Sequence, residues 1–189
     1  MEHRQNKLEN PERIAELSPK ETLMRIGLGE QDIICDIGAG SGIFTIPAAR
    51  ITVNTVFALD INDEFLAVIN EKAAVQNLPN IITMKVTGDH YDIEAGTVDV
   101  VILVTVLHEI DDKGALLAEF KRIMKNKAKL AIIEFHKCQT PMGPPSAHRL
   151  GKEEVDEMCG AFGFVKTVEF DLGDNLYCLL FESGTNENR

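Results

Sequence analysis

Apolar and polar residues follow two alternating patterns along residues 32–135. Short apolar runs rich in valine and isoleucine indicate buried strands, and the stretches between them show the period of amphipathic helices. The strands are predicted at 32–37, 55–60, 81–87, 98–104 and 129–135, and the helices at 43–50, 63–77 and 111–125. Strands that alternate with helices in this way form a parallel sheet covered on both faces. The pattern therefore predicts a doubly wound α/β fold.

The pattern changes after residue 150. A helix at 152–161 is followed by two strands at 164–170 and 175–181, joined by a tight turn. This order predicts that the sheet ends in an antiparallel hairpin. We expect one domain with short ends: an N-terminal extension (1–17), the domain itself (18–183) and a C-terminal tail (184–189).

A helix start is predicted at the beginning of the domain. Ser18 can accept a hydrogen bond from the amide three residues on, Pro19 suits the first helical position, and Glu21 completes a capping box. The helix should end near Gly27 and Gly29.

The first predicted strand runs into a glycine-rich loop, and Gly38, Gly40 and Gly42 give it the spacing G-x-G-x-G. Glycine lets the backbone turn sharply and approach a ligand closely, and the helix that follows offers free amides. The third glycine of the dinucleotide fingerprint G-x-G-x-x-G would fall on Ile43, which counts against NAD and FAD. A nucleotide-like ligand other than a dinucleotide is expected here.

Two acidic residues stand at the ends of the first two strands. Asp36 precedes the glycine loop, where a carboxylate repels a pyrophosphate and can accept a hydrogen bond from an ammonium or a loop amide. Asp60 ends the second strand, eighteen residues after Gly42, where an acid can bind both hydroxyls of a ribose. The pair predicts a cationic ligand that contains an unphosphorylated adenosine.

Charge and composition limit the classes of partner and substrate that we expect. Nineteen basic and thirty acidic residues give a formal charge of −11, which opposes binding to nucleic acid or to an anionic membrane. No apolar run is long enough to cross a bilayer, and the first twelve residues lack the apolar stretch of a signal peptide. The four cysteines have no C-x-x-C spacing. We expect a cytoplasmic protein with a small-molecule substrate.

These motifs resemble those of the class I S-adenosylmethionine-dependent methyltransferases. Residues 36–42 (DIGAGSG) look like the first motif of that family, Asp60 like its ribose acid, and residues 88–90 like its third motif. Residues 98–110 resemble the fourth motif and residues 130–134 the fifth. The likeness is closest to the small-molecule group that includes ubiquinone and menaquinone biosynthesis methyltransferases and arsenite methyltransferases.

The resemblance implies a Rossmann-like methyltransferase fold, a seven-stranded, mostly parallel sheet in the order 3-2-1-4-5-7-6 with the last strand antiparallel. It implies S-adenosylmethionine as cofactor. The cofactor-binding positions that it implies are Asp36, Gly38, Ala39, Gly40, Gly42, Asp60, Ile61, Asp89, His90 and Val104. Two departures stand out. The turn at 125–129 lacks the usual Pro-Gly-Gly, and Val104 stands where members often carry a polar residue.

Four residues are candidates for the acceptor side of the site. His136 and Arg149 are candidates for substrate binding, because they lie after the fifth strand, where this family often places substrate groups. His108 and His148 are candidate proton acceptors. The alternatives are a structural histidine at 108 and a solvated basic pair at 148 and 149.

The sequence predicts no metal site. Glu109, Asp111 and Asp112 are near one another, but the two aspartates more simply cap the next helix. Arsenite methylation would need converging thiolates, and only Cys138 and Cys159 lie outside predicted strands.

The predicted reaction is a direct in-line displacement that moves a methyl group to a small molecule. Two rivals are a cofactor-binding module without catalysis and a nucleotide-dependent oxidoreductase. The N-terminal extension is a candidate cover for the pocket, which is either open or completed by a second subunit in a homodimer.

Overall fold

A computed structural model describes residues 8–184 of the chain. Residues 1–7 of the predicted extension and residues 185–189 of the predicted tail lie outside the described residues. The chain folds as two compact units, and the boundary between them falls after Gly88.

The first unit carries three parallel strands and the helices that connect them. Its helices are α1 (Pro11–Leu17), α2 (Pro19–Arg25), α3 (Thr45–Ile51) and α4 (Asp63–Val75), and its strands are β1 (Ile34–Ile37), β2 (Val56–Asp60) and β3 (Ile81–Lys85). Strand β2 pairs in parallel with β1 on one side and with β3 on the other. All four residues of β1 are buried, as expected for a parallel strand covered on both faces.

The second unit contains one parallel pair and an antiparallel hairpin. Its strands are β4 (Val98–Val104), β5 (Met124–Phe135), β6 (Phe164–Leu172) and β7 (Leu176–Ser183), and its helices are α5 (Lys113–Ile123) and α6 (Lys152–Ala161), with 3-10 turns at Leu107–Glu109 and Ser146–His148. Strand β4 pairs in parallel with β5, whereas β7 runs antiparallel to both β5 and β6.

The seven strands follow the order β3-β2-β1-β4-β5-β7-β6. This order and the antiparallel last strand confirm the predicted fold class. Parallel strands end at the same edge of a sheet, so residues that follow β1 and β2 are neighbours at that edge.

The predicted cap at Ser18 is wrong. Ser18 has φ 38° and its hydroxyl donates to the carbonyl oxygen of Ala15, so it ends α1 and makes no side-chain cap for α2. Helix α1 was not predicted. Asn10 caps it, since its side-chain oxygen accepts from the amides of Glu12 and Arg13.

The predicted end of the helix at 125 and start of the strand at 129 are also wrong. Helix α5 ends at Ile123, and β5 begins at Met124 and runs through the residues expected to form a turn. The irregularity is local: Lys127 has φ 62°, and the register with β4 shifts between Val98 and Val100. The extra residues of β5 are accommodated as a bulge.

Candidate functional site

The glycine loop, residues 38–42, connects β1 to the segment that enters α3 in the first unit. Gly38, Gly40 and Gly42 have φ values of 67°, 52° and 83°, a region that side chains with a Cβ rarely occupy. A Cβ at Gly42 would also come within 3.0 Å of the Ile69 side chain on α4. Backbone conformation and close packing therefore both require glycine in this loop.

Asp60 fixes the shape of the loop from the end of β2. One carboxylate oxygen accepts the amide of Gly40 at 2.8 Å, and the other accepts the amide of Asn62 at 2.9 Å. The side chain is buried, since Asp60 keeps only 7% of its surface. Each carboxylate oxygen has a second lone pair, so Asp60 can hold the loop and still accept hydrogen bonds from a ligand.

Asp36 lies in β1, two residues before the glycine loop, and is also buried. Its partner within the protein is the hydroxyl of Thr45, which donates to the carboxylate at 2.6 Å. Burial raises the pKa of Asp36 to about 6, the Thr45 hydrogen bond opposes that rise, and the charge of Asp60 adds to it. Two buried carboxylates close enough to interact make this part of the unit a favourable place for a cation.

Ala39 and Ile61, two further predicted cofactor positions, differ in exposure. Ala39 is packed in the core with Ala58 and Ile69, and its amide donates to the carbonyl oxygen of Leu59 at 2.9 Å. Ile61 directly follows Asp60 and is 76% exposed. A large apolar side chain left uncovered beside a buried acid is available to pack against the flat face of a ligand.

The remaining predicted cofactor positions lie in the second unit. Asp89 and His90 are exposed, and the His90 ring lies 3.5 Å from the carboxylate of buried Glu119. Val104 is the last residue of β4 and is half-buried. Thr105 follows it with φ 57°, an unusual conformation for a β-branched residue. Backbone strain of this kind concentrates at functional sites, and no sequence pattern marks Thr105 for it.

His108 is held by a glutamate that the sequence analysis did not single out. The Nδ1 atom of His108 lies 2.8 Å from one carboxylate oxygen of Glu134, and the other oxygen accepts the His108 amide at 3.2 Å. Glu134 lies in β5 and its side chain is 1% exposed. The hydrogen bond to Glu134 raises the pKa of His108, which burial alone would lower. The sequence does mark Glu134 in one way, because it is an acidic residue inside the apolar run LAIIEF.

We expect Glu134→Gln to lower the pKa of His108, because the carboxylate that favours the imidazolium is removed. In the wild type this ion pair stabilises the fold below the ordinary histidine pKa, and the contribution is lost as the pH rises through the raised value. NMR titration of the ring protons measures the change, with exposed His148 as the internal control. An unchanged His108 titration would contradict the assignment.

Arg149 organises the loop that follows β5, residues 136–149. The residue is 4% exposed, so the solvated pair considered as an alternative is wrong for Arg149. Its guanidinium donates to the carbonyl oxygens of His136, Cys138, Met142 and Pro144 and to the hydroxyl of Thr140, at 2.7–2.9 Å. The donors that would meet a substrate carboxylate are thus engaged in shaping the loop.

Gly143, His136 and His148 are the other notable residues of this loop. Gly143 has φ 96°, and a Cβ there would stand 2.7 Å from the Phe135 ring. His136 is partly buried, with its ring 5.5 Å from that of Tyr177 and its Nε2 3.3 Å from Asp171. His148 is exposed on the 3-10 turn. Of the polar candidates in the loop, His148 is the exposed one, whereas His136 is 25% exposed and its Nε2 lies beside Asp171.

A family model described as a methyltransferase domain matches residues 35–132, which is more than half of the chain. The chain belongs to this methyltransferase family. The match begins inside β1 and includes the glycine loop and Asp60, so it covers the part of the site that is best defined by geometry.

Individual relatives agree with this membership. The ubiquinone/menaquinone biosynthesis C-methyltransferase of Marinomonas sp. is 26% identical over 132 residues, 68% of this chain and 53% of that protein. The ribosomal protein L11 methyltransferase of Lactobacillus acidophilus is 30% identical over 83 residues, 41% of this chain and 26% of that protein. The chain therefore spans about half or less of the length of these methyltransferases.

A solved structure of an S-adenosylmethionine-dependent methyltransferase from Aquifex aeolicus superposes with a TM-score of 0.89 over 96% of this chain and 97% of that one, at 24% identity. At that identity the likeness shows the fold. The family match shows a methyltransferase domain, as the sequence predicts, and the fold is that of the Aquifex protein, which is named for its dependence on S-adenosylmethionine.

The residues of the methyltransferase loop fit this cofactor. The Ser41 hydroxyl is buried, and no partner hydrogen-bonds to it among the residues that the structure describes. Asp36 and Asp60 supply buried negative charge, which suits a cofactor that carries a sulfonium and an ammonium. A polar, cationic ligand would give the unpaired hydroxyl a hydrogen-bond partner and would offset the charge of the two acids beside the glycine loop.

The thiols give little support to soft-metal chemistry. Cys35, Cys159 and Cys178 are buried and Cys138 is exposed. Burial raises the pKa of Cys159 to about 12, which disfavours the thiolate that arsenic or a soft metal would need.

Within residues 8–184 no three histidine, cysteine or acidic residues are grouped to hold a metal ion. Nor does that part of the chain contain a helix with the length and apolarity needed to cross a bilayer.

Proposed function

We propose that this chain transfers the methyl group of S-adenosylmethionine to a small-molecule acceptor by direct in-line displacement. The observation that carries the proposal is the arrangement around Asp60. Its carboxylate is held by the Gly40 and Asn62 amides at the end of β2, beside a loop whose glycines all have positive φ. An acid held in this way is preorganised for the two hydroxyls of a ribose.

Each part of the loop has a role in this proposal. Asp36 and the loop amides hold the amino-acid end of the cofactor, Asp60 holds the ribose, and Ile61 packs against the adenine. The family resemblance alone supports contacts of the adenosine with Asp89, His90 and Val104, and these contacts stay predictions. When bound, the cofactor supplies a methyl group already activated by a positive sulfur. The protein then has to orient the acceptor and exclude water, and a dedicated base is needed only for an acceptor that must lose a proton.

A small molecule is the proposed acceptor for two reasons. The formal charge of −11 disfavours nucleic acid, and the Marinomonas relative is named for C-methylation in ubiquinone and menaquinone biosynthesis. His136 and His148 are the proposed acceptor-side residues, with His108 the candidate proton acceptor. The homodimer and the cytoplasmic location stay predictions.

Calorimetry of the wild type with S-adenosylmethionine, S-adenosylhomocysteine and NAD tests the proposal. We expect micromolar affinity for the first two ligands and no binding of NAD. Transfer of a labelled methyl group to a panel of small phenols, amines and thiols, beside a protein mixture, then tests the acceptor class. Binding of NAD alone would overturn the proposal, and cofactor binding with no transfer to any acceptor would favour the non-catalytic module.

A further inference from the structure

The chain immediately before α1 lies against the glycine loop. The Leu8 side chain packs so closely on Gly40 that a Cβ at Gly40 would stand 2.9 Å from its Cδ1 atom. The Leu8 carbonyl oxygen accepts a hydrogen bond from Arg13 at 3.0 Å, which ties the segment back to α1. Leu8 therefore packs on the backbone of the proposed cofactor loop, and residues 8–10, the N-terminal segment, connect this contact to α1.

Lys72 fastens this segment to the loop. Its ammonium donates to the carboxylate of Glu9 at 2.7 Å and to the carbonyl oxygen of Ser41 at 2.8 Å. Lys72 belongs to the last turn of α4, so a single side chain joins three separate parts of the first unit. The Lys72 and Glu9 side chains are 33% and 34% exposed, which leaves the pair accessible to water and open to exchange.

These contacts are made with the two residues at the centre of the glycine loop, where the cofactor is proposed to bind. Gly40, which Leu8 covers, is the residue whose amide is bound by Asp60. Ser41, whose carbonyl oxygen accepts from Lys72, carries the buried hydroxyl that forms no hydrogen bond with any described residue. Leu8 and Lys72 therefore contact the two residues at the centre of the loop.

We infer that Lys72 and Glu9 form a latch that seats the N-terminal segment over the glycine loop and slows the release of S-adenosylmethionine and S-adenosylhomocysteine. The inference rests on the proposed function and adds two positioning residues to it. Lys72 acts through the Ser41 carbonyl and Glu9 acts through Lys72. No bond to the cofactor is assigned to either side chain.

Dissociation kinetics of S-adenosylhomocysteine, measured by surface plasmon resonance on the full chain, test the latch. We expect Lys72→Met and Glu9→Gln each to raise the dissociation rate about threefold to fivefold, the size of effect that a partly exposed ion pair supports. The double variant should release the ligand no faster than Lys72→Met alone, because Glu9 acts through Lys72. Lys166→Met is the matched control, since Lys166 pairs with Asp156 at 2.8 Å, their side chains are 32% and 38% exposed, and both belong to the second unit.

Hydrogen exchange supplies a readout that does not depend on turnover. Peptides that contain the N-terminal segment should gain protection when S-adenosylhomocysteine binds the wild type and should gain less in Glu9→Gln. Equal dissociation rates in the wild type and both single variants, or additive effects in the double variant, would overturn the latch while leaving the proposed function intact. Failure of the wild type to bind the ligand would overturn both.

Discussion

Replacing Asp60 with alanine is expected to weaken S-adenosylhomocysteine binding by roughly tenfold to a hundredfold, the effect of losing charge-assisted hydrogen bonds in a buried site. Two losses combine in this variant. The ribose hydroxyls lose their acceptor, and the amides of Gly40 and Asn62 lose the oxygens that fix the loop. Isothermal calorimetry of purified wild type and variant measures the difference.

Asp63→Ala is the control for this measurement. Asp63 lies three residues further along the chain, at the start of α4, and is largely exposed. It carries the same charge as Asp60, so a general change in net charge would affect both variants equally. Asp60→Asn keeps one acceptor oxygen and should fall between wild type and Asp60→Ala. If Asp60→Ala binds S-adenosylhomocysteine with an affinity within twofold of the wild type, Asp60 stabilises the loop and does not bind the ligand.

Arg149→Met should lower the free energy of unfolding by about 3 kcal/mol, because oxygen atoms buried in the 136–149 loop lose their charged donor. For a chain of this length that loss corresponds to a fall in Tm of about 6–12 °C. Methionine keeps the unbranched apolar stem, so the change isolates the guanidinium. Thermal unfolding followed by circular dichroism measures it.

His148→Ala is the neighbouring control, since His148 is exposed and adjacent in sequence. We expect its Tm to stay within about 1 °C of the wild type, as for most surface substitutions. Arg149→Lys tests the geometry as well as the charge, because an ammonium has three donors where the guanidinium reaches five acceptors. Equal Tm values for Arg149→Met and His148→Ala would show that the network contributes nothing measurable.

The sheet was predictable because its signals are local in the sequence. Strand β4 begins and ends at the predicted residues 98 and 104, and α6 matches its predicted range of 152–161. Gly42, Asp36 and Asp60 could be proposed as site residues for the same reason, since a glycine loop after one strand and an acid after the next are recognisable from spacing alone.

Other features depend on partners that spacing does not reveal. Glu134 meets His108 across 26 positions of the chain, and Lys72 meets Glu9 across 63. Arg149 was misjudged because four of its five acceptors are backbone carbonyl oxygens, which every residue possesses and no side-chain pattern marks. Ser18 was misjudged because the preceding helix, unseen in the sequence, determines its conformation.

Arg149 and Gly143 together limit how the 136–149 loop can change over evolution. The guanidinium donates hydrogen bonds to five oxygens and so fixes their spacing. Gly143 lies on the Phe135 ring with no space for a methyl group. An insertion or deletion between those anchors would disturb several buried contacts at once. Exposed positions such as Ser146, Ala147 and His148 can vary without that cost. Homologues that accept different substrates should therefore keep the loop length and differ at these side chains, which also makes them the first positions to randomise in a library selected for new acceptors.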